Sequence, residues 1–230
     1  MIQAVIFDMY ETLITHYQCP LYFGAQMATD ARIPVERFQL LWHQTDYDRT
    51  VGNMTFEEVV ELILRQNQCY SEELLRKIIN KRKQTKEECF KHLHPEMISM
   101  LSQLKEKGLM IGVISNCFSE EADAIRRSIL FPYFDAVYLS YEQGVRKPDA
   151  EIYQRCMDGF SLKPEECLYI GDGGSHELEA ARELGMQTAQ AVWYLQEGTM
   201  QPSGRKQDFV QIETPLDVLK YLDAQTGVNR

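Results

Sequence analysis

The pattern of apolar and polar residues along the chain predicts a parallel β-sheet. Short apolar runs recur along the sequence, and segments with helical spacing separate them. Such runs are typical of strands that are buried on both faces. They cover residues 2–7, 109–114, 136–139, 167–170, 188–192 and 209–212. Because strands that alternate with helices form a doubly wound sheet, we expect an α/β fold with a Rossmann-like three-layer α/β/α core.

Residues 20 to about 90, which lie between the first two predicted strands, show a different pattern. Four segments there carry helical spacing without a strand signal, namely residues 20–32, 34–48, 55–68 and 71–90. Thr55 precedes Glu58 by three residues, a spacing typical of a helix N-terminus. We therefore predict an inserted all-helical domain, a bundle of about four helices, at residues 17–93. The α/β core then comprises residues 1–16 and 94–230.

The net charge limits the partners that the protein can bind. Apolar residues make up 44% of the 230 residues and charged residues 25%, as in ordinary globular proteins. The net charge of -10 argues against a broad attraction to nucleic acid or to an anionic membrane. No apolar run approaches the ~20 residues that cross a bilayer. A small anionic substrate would need a local positive group, such as a metal ion or a well-placed lysine.

The cysteines and the N-terminus predict a cytoplasmic protein. The six cysteines are scattered and include no CxxC pair, which favours reduced thiols in a reducing compartment. The first residues lack a basic start and reach Asp8 too soon for a signal peptide. The sequence leaves the oligomeric state open between a monomer and a weak dimer.

Candidate catalytic residues follow the first two predicted strands, because ligands of parallel α/β sheets bind beyond the carboxyl ends of the strands. Asp8 follows the first strand and suits either a nucleophile or the cap of a turn, and Thr12 lies in the same loop. Ser115 and Asn116 follow the second strand. Their side chains can donate hydrogen bonds to an anionic oxygen, although both residue types also favour turns.

Two later segments carry charged residues that suit a phosphate or metal site. Lys147 directly precedes Pro148, which favours an extended backbone; from there the ammonium can point inward or stay in solvent. Gly171 and Asp172 begin a glycine-rich turn that lets the backbone pass close to a ligand. Asp172 and Glu177 are separated by one loop and one helical turn, so their carboxylates can share a cation.

These motifs, in this order, resemble those of the haloacid dehalogenase-like (HAD) superfamily of hydrolases. The resemblance extends over essentially the whole chain, and the helical insertion is similar to the C1-type cap of that family. It implies that Asp8 attacks the substrate and forms a covalent intermediate. It also implies that Ser115 hydrogen-bonds the transferring group and that Lys147 orients the nucleophile and balances its charge.

The resemblance further implies a Mg²⁺ site and contacts to a small anionic substrate. The metal ligands would be the carboxylates of Asp8 and Asp172 and the backbone carbonyl of Tyr10, and Glu177 would be a second acid that holds metal-bound water. Thr12, Asn116 and Tyr10 are the candidate substrate contacts.

Position 10 departs from the phosphatases of the superfamily. They usually carry a second Asp two residues after the nucleophile, which protonates the leaving oxygen. Tyr10 stands there instead, and a phenol with an ordinary pKa near ~10 is a poor acid catalyst at neutral pH. A Tyr at this position is similar to the 2-haloacid dehalogenases, whose halide leaving group needs no proton. Glu11 is the neighbouring acid, but its position is expected to point it away from the reaction centre.

Charge favours one of these two activities. Asp8, Asp172 and Glu177 would bring three carboxylates together against Lys147, and two carboxylates ~4 Å apart repel by about 4 kcal/mol at an effective dielectric constant near ~20. Such a cluster calls for a divalent cation, and the resemblance implies that metal-free dehalogenases lack the Gly-Asp acid. We therefore expect a Mg²⁺-dependent phosphatase that acts on a small phosphorylated metabolite through an aspartyl-phosphate intermediate and prefers good leaving groups.

Two alternatives remain open from the sequence. A metal-independent 2-haloacid dehalogenase would need an Arg of the helical insertion to bind the substrate carboxylate, and Arg32, Arg37 and Arg49 are the candidates. A non-catalytic phosphate-ligand-binding protein could keep the same fold, because a fold does not fix function.

Overall fold

The computed structural model describes residues 1–196 and 204–225 and contains a sheet of six strands. The strands are β1 Ala4–Phe7, β2 Met110–Ser115, β3 Ala136–Leu139, β4 Cys167–Gly171, β5 Gln187–Ala191 and β6 Val210–Ile212. Their order across the sheet is β3-β2-β1-β4-β5-β6, and each neighbouring pair is parallel. The predicted α/β fold and its six predicted strands are confirmed.

Five helices lie within residues 17–93, where the sequence predicted about four. They are α1 Gly24–Ala31, α2 Val35–Gln44, α3 Asp46–Thr50, α4 Phe56–Gln66 and α5 Glu72–Cys89, here called the inserted helices. The predicted segment 34–48 divides at Thr45, whose hydroxyl donates to two carbonyls of the preceding turn. Such local bonding competes with the continuation of a helix. The predicted helix start at Thr55 is confirmed, because its side chain accepts a hydrogen bond from the backbone N of Glu58.

The helices of the core cover both faces of the sheet. They are α6 Met97–Glu106, α7 Ser119–Arg126, α8 Ser140–Gln143, α9 Ala150–Phe160, α10 Glu177–Glu183 and α11 Asp217–Gln225, with short 3₁₀ helices at Phe131–Tyr133 and Pro164–Glu166. Val5 and Phe7 of β1 join an apolar cluster with α6, α7 and α11, whereas Ala4 and Ile6 join one with α9 and α10. This burial on both faces accounts for the continuous apolar run of β1 and gives the predicted three layers.

The inserted helices have a hydrophobic cluster of their own. Phe38, Phe56 and Ile63 are fully buried in it. The clusters on the two faces of the sheet contain other residues. None of the helices in residues 1–196 and 204–225 combines the length and the apolar character needed to cross a bilayer.

Gly52→Ala should weaken the contact between the inserted helices and the core. Gly52 has φ +79, and a Cβ there would lie 2.2 Å from the carbonyl oxygen of Tyr141. We expect the free energy of unfolding, measured in denaturant, to fall by more than the about 1–3 kcal/mol that backbone strain alone costs. Gly108→Ala is the matched control, because Gly108 has φ +75 and no described atom within 4 Å of the added Cβ. Equal losses in the two variants would contradict the steric role of Gly52.

Candidate active site

The carboxyl ends of three neighbouring strands bring predicted site residues together. Asp8 directly follows β1, Ser115 is the last residue of β2, and Asp172 directly follows β4. β1 lies between β2 and β4, and the backbone N of Asp8 donates to the carbonyl oxygen of Ile170 at 2.8 Å. The hydrogen bonds between the strands therefore fix the backbone positions of these three residues.

Lys147 forms a buried ion pair with Asp8. Its Nζ lies 2.6 Å from Oδ1 of Asp8, and both side chains are buried. Burial raises the pKa of Asp8 to about 6, while the ammonium of Lys147 acts in the opposite direction. Burial alone would lower the pKa of Lys147, but the carboxylates of Asp8 and Glu177 outweigh it and raise that pKa. At neutral pH the pair is therefore a carboxylate against an ammonium.

The amide of Asn116 holds the backbone of Lys147. Its Oδ1 accepts a hydrogen bond from the backbone N of Lys147 at 2.8 Å, and its Nδ2 donates to the carbonyl oxygen of Lys147 at 2.9 Å. Asn116 lines the cavity described below, but its amide is engaged with the protein. Ser115 is fully buried beside it, and its hydroxyl lies 3.5 Å from the carbonyl oxygen of Asn116, at the limit of hydrogen-bond geometry.

Asp8, Asp172 and Glu177 form a cluster of three buried carboxylates, here called the carboxylate cluster. One oxygen of each lies within 4.8 Å of the others. The ammonium of Lys147 balances one of the three negative charges. Carboxylate oxygens at this spacing are the ligands that Mg²⁺ prefers, and a divalent cation would neutralise the remaining charge. The donor set of this cluster therefore fits the predicted metal.

The backbone of the loop after β4 fixes Glu177. This side chain is fully buried, and its two oxygens accept hydrogen bonds at 2.7 Å from the backbone N of Gly173 and of Ser175. Burial would raise the pKa of Glu177, but Lys147 and these backbone donors outweigh it and lower that pKa. Glu177 is thus a carboxylate held in one orientation, as a metal ligand or the acceptor of a metal-bound water must be.

The loop after Asp8 brings Tyr10 and Glu11 against His16. The rings of Tyr10 and His16 are stacked, with centroids 4.4 Å apart. The Tyr10 hydroxyl is buried and has no hydrogen-bond partner in the described part of the chain. Glu11 adopts φ +58, and its carboxylate accepts hydrogen bonds from the hydroxyl of Thr15 at 2.5 Å and the backbone N of His16 at 3.0 Å. The acid next to Tyr10 is therefore engaged with its own loop.

Thr12 lies deeper in the same loop and is fully buried. Its hydroxyl lacks a hydrogen-bond partner among residues 1–196 and 204–225. Its carbonyl oxygen accepts a hydrogen bond from Nε1 of Trp193 at 2.8 Å, which ties the loop to the segment after β5.

A cavity of about 320 Å³ lies between the strand ends and the inserted helices. The core contributes Asp8, Asn116, Phe118, Glu121, Lys147 and Asp172 to its wall, and the inserted region contributes Tyr17, Phe23, Trp42, Arg82 and Lys86. Two larger depressions, of about 600 and 820 Å³, lie elsewhere on the surface, and no member of the carboxylate cluster lines them. The chemistry therefore places the candidate site in the smaller cavity.

Two cations of α5 and two acids of α7 form a buried network beside this cavity, here called the charged cluster. Nε of Arg82 lies 2.9 Å from Glu120, and its Nη2 lies 3.0 Å from Oε1 of Glu121. Nζ of Lys86 lies 2.5 Å from the same Glu121 oxygen and 2.5 Å from Nε2 of His16. These residues were not predicted from the sequence. The i, i+4 spacing of Arg82 and Lys86 indicates a shared helix face, but not the partners that bury it, 38 and 39 positions away from Arg82.

Burial and charge act against each other in this cluster. Burial, together with Lys86 and Arg82, lowers the pKa of His16 well below its usual range, so its imidazole is neutral. Burial would lower the pKa of Arg82, but Glu120 and Glu121 raise it. Burial would raise the pKa of Glu121, but Lys86 and Arg82 lower it. Burial also lowers the pKa of Lys86 and raises that of Glu120, yet the close contacts with opposite charges favour the ionised form of both.

The chain is similar to a curated phosphatase over part of its length. It is 35% identical over 100 residues to the glyceraldehyde 3-phosphate phosphatase of Methanocaldococcus jannaschii, and this alignment covers 43% of the chain and 44% of that protein. The chain covers 38% and 44% of the length of two of the curated relatives that it matches, which is less than half of each.

Two solved structures share the fold over nearly the whole chain. The HAD phosphatase from Thermococcus onnurineus superposes with a TM-score of 0.68 and 17% identity, over 96% of this chain and 98% of that one. The L-2-haloacid dehalogenase from Xanthobacter autotrophicus gives a TM-score of 0.64 and 19% identity, over 100% of both chains. Since the identities are this low, the likeness shows the fold alone.

A family model described as haloacid dehalogenase-like hydrolase matches residues 2–185. The matched range contains Asp8, Ser115, Lys147 and Asp172, and it extends over most of the chain. The chain therefore belongs to the haloacid dehalogenase-like hydrolases.

Proposed function

We propose that the protein is a Mg²⁺-dependent phosphatase that acts on a small phosphorylated metabolite through an aspartyl-phosphate on Asp8. The carboxylate cluster carries this proposal, because its three carboxylates face the ammonium of Lys147 and retain a net negative charge. A site with this charge repels a phosphate unless a cation is bound. The phosphatase name of the relative in Methanocaldococcus jannaschii gives further support.

Asp8 is the proposed nucleophile. Its ionised carboxylate would attack phosphorus while the bond from phosphorus to the leaving oxygen breaks, and water would then hydrolyse the aspartyl-phosphate and release the carboxylate. Lys147, 2.6 Å away, would hold Asp8 and balance its charge. Asn116 would position Lys147 through its two hydrogen bonds to that backbone. Ser115 would donate its hydroxyl to an oxygen of the transferring phosphate.

The proposed metal ligands are the carboxylates of Asp8 and Asp172 and the carbonyl of Tyr10, with Glu177 as the acceptor for metal-bound water. Bound there, Mg²⁺ would neutralise phosphate oxygens as charge shifts toward the leaving group. Glu177 is fixed by two backbone donors and needs no rearrangement for this role.

Tyr10 determines which leaving groups the proposed enzyme can release. Its hydroxyl is buried, and burial together with the negative charge of Glu121 raises its pKa well above the usual value, so it gives up a proton reluctantly. Loss of general acid catalysis typically costs ~10² to 10⁴ in rate. We therefore expect aryl and acyl phosphates, whose leaving groups are stable as anions, to react faster than alkyl phosphates. Thr12 remains a candidate contact of the substrate. Its hydroxyl has no hydrogen-bond partner among residues 1–196 and 204–225.

We further propose that residues 17–93 form a cap on a core of residues 1–16 and 94–230. The separate hydrophobic cluster of the inserted helices supports this division. Their contribution to the cavity wall supports a role in substrate selection. All six cysteines are free thiols, which agrees with a cytoplasmic location.

A 2-haloacid dehalogenase is the second candidate, and Tyr10 favours it. Such an enzyme needs a cation that binds the carboxylate of its substrate. Arg32 and Arg37 are exposed on the inserted region, whereas Arg49 is buried and donates to Asp46. None of these three arginines lines the cavity as the described residues form it. Their placement and the carboxylate cluster favour the phosphatase.

Hydrolysis of p-nitrophenyl phosphate should require Mg²⁺. We expect EDTA to abolish release of nitrophenol and excess Mg²⁺ to restore it, because the carboxylate cluster repels the phosphate without a cation. Assays of 2-chloropropionate, with and without metal, should release no chloride. Chloride release without metal would establish the dehalogenase, whereas hydrolysis of p-nitrophenyl phosphate that EDTA leaves unchanged would contradict the metal dependence.

Asp8→Asn should lower kcat for p-nitrophenyl phosphate by a factor on the order of 10³ or more, because an amide cannot form the covalent intermediate. Asp208→Asn is the control, since it removes the same charge from an exposed position. Quenched reactions with labelled phosphate ester should leave label on the wild-type protein and none on the Asp8 variant. Equal kcat values for the two variants would rule out Asp8 as the nucleophile.

Tyr10→Asp should raise the activity on alkyl phosphates. The new carboxyl group would stand two residues after the nucleophile and could protonate the leaving oxygen, so we expect kcat on glycerol phosphate to rise about tenfold or more. Tyr10→Asn opens the same space without an acid and should show no such gain. Similar rates for the two variants would mean that the leaving-group step is not limited by position 10.

A further inference from the structure

The charged cluster is electrically balanced, in contrast to the carboxylate cluster at the strand ends. Arg82 and Lys86 contact Glu120 and Glu121 at 2.5 to 3.0 Å. All four residues are buried, with at most 5% of each exposed. Both cations that α5 presents to the cavity are therefore already paired with carboxylates inside the protein.

His16 adds no positive charge to this end of the cavity. Nζ of Lys86 donates to Nε2 of His16 at 2.5 Å, and an ammonium can only donate, so Nε2 is an acceptor and the ring is neutral. Nδ1 of the same ring lies 3.3 Å from a carboxylate oxygen of Glu11. The part of the cavity wall formed by these residues thus has a charge of zero or below.

Aromatic side chains form another part of the same wall. Phe23, Trp42 and Phe118 line the cavity, and the rings of Trp42 and Phe118 meet edge to face with centroids 5.9 Å apart. The volume of about 320 Å³ is at the lower end of the range for small-molecule sites. Such a wall favours a compact group that is apolar or carries only uncharged polar atoms.

We infer that the organic part of the substrate is small and uncharged, and that Glu121 is the specificity-determining residue that excludes substrates with a second anionic group. This inference rests on the proposed phosphatase function. A carboxylate that bound Arg82 or Lys86 would have to displace Glu121, which would then stay buried without its counter-charges, and such an arrangement is strongly unfavourable. An uncharged group leaves the charged cluster intact.

Two aryl phosphates test this selectivity. 4-(Hydroxymethyl)phenyl phosphate and 4-carboxyphenyl phosphate differ in one charge at the far end of the same ring, and their leaving phenols are similar in acidity. With Mg²⁺ present, we expect the wild-type kcat/KM to be about tenfold or more higher for the uncharged ester. Glu121→Gln removes one negative charge from the cavity wall and should reduce this preference about fivefold or more, mainly through a lower KM for the carboxylate ester.

Glu57→Gln is the matched control. Glu57 pairs with Lys83 at 2.7 Å, both side chains are about one-third exposed, and neither lines the cavity. The Glu57→Gln substitution removes the same charge as Glu121→Gln, and the preference for the uncharged ester should stay at the wild-type value.

The outcomes separate this inference from the proposed function. If neither ester is hydrolysed with Mg²⁺, the phosphatase assignment fails and this inference fails with it. If both are hydrolysed but the carboxylate ester is equal or better, only the selectivity is overturned. The inference about selectivity is also overturned if the Glu121→Gln variant folds and keeps the wild-type preference for the uncharged ester. Should Glu121→Gln fail to fold, the wild-type ratio still decides whether the substrate is uncharged, and Lys86→Met, which should strengthen the preference, decides the role of the charged cluster.

Discussion

The buried ion pair of Asp8 and Lys147 is the constraint on which the rest of the site depends. A carboxylate at this depth is unstable as an anion without a partner, as its raised pKa indicates. The fold must therefore deliver Lys147 to the end of β1 and hold it there. Asn116, at the end of the adjacent strand, does this through the backbone of Lys147. Because two further carboxylates join the same space, one ammonium cannot balance the charge of the site.

Much of the fold can be predicted from the sequence because the central strands are buried on both faces. Burial of every residue in β1 leaves a continuous apolar run, which few other structures produce. The number of inserted helices is harder to predict, since the break at Thr45 depends on where one hydroxyl donates its hydrogen bond. A threonine inside a helical pattern carries no signal of that choice.

The candidate site can be predicted only in part. Strand ends of a parallel sheet meet at one edge, so Asp8, Ser115 and Asp172 can be grouped from the sequence alone. The direction of the Asn116 amide could not be predicted, because its partner lies 31 positions away in the chain. The charged cluster also could not be predicted from the sequence. Its pairs join two helices far apart in the chain, and charged residues on a helix are usually solvated.

The charged cluster also bears on how a ligand could enter. It lies where α5 meets α7, and Arg146 on the core side adds a further ion pair with Asp46 of α3. If the inserted helices swing away from the sheet, these charges return to water, and their recovered hydration offsets much of the lost attraction. Separating two elements that are joined by ion pairs therefore costs less free energy than separating an apolar contact.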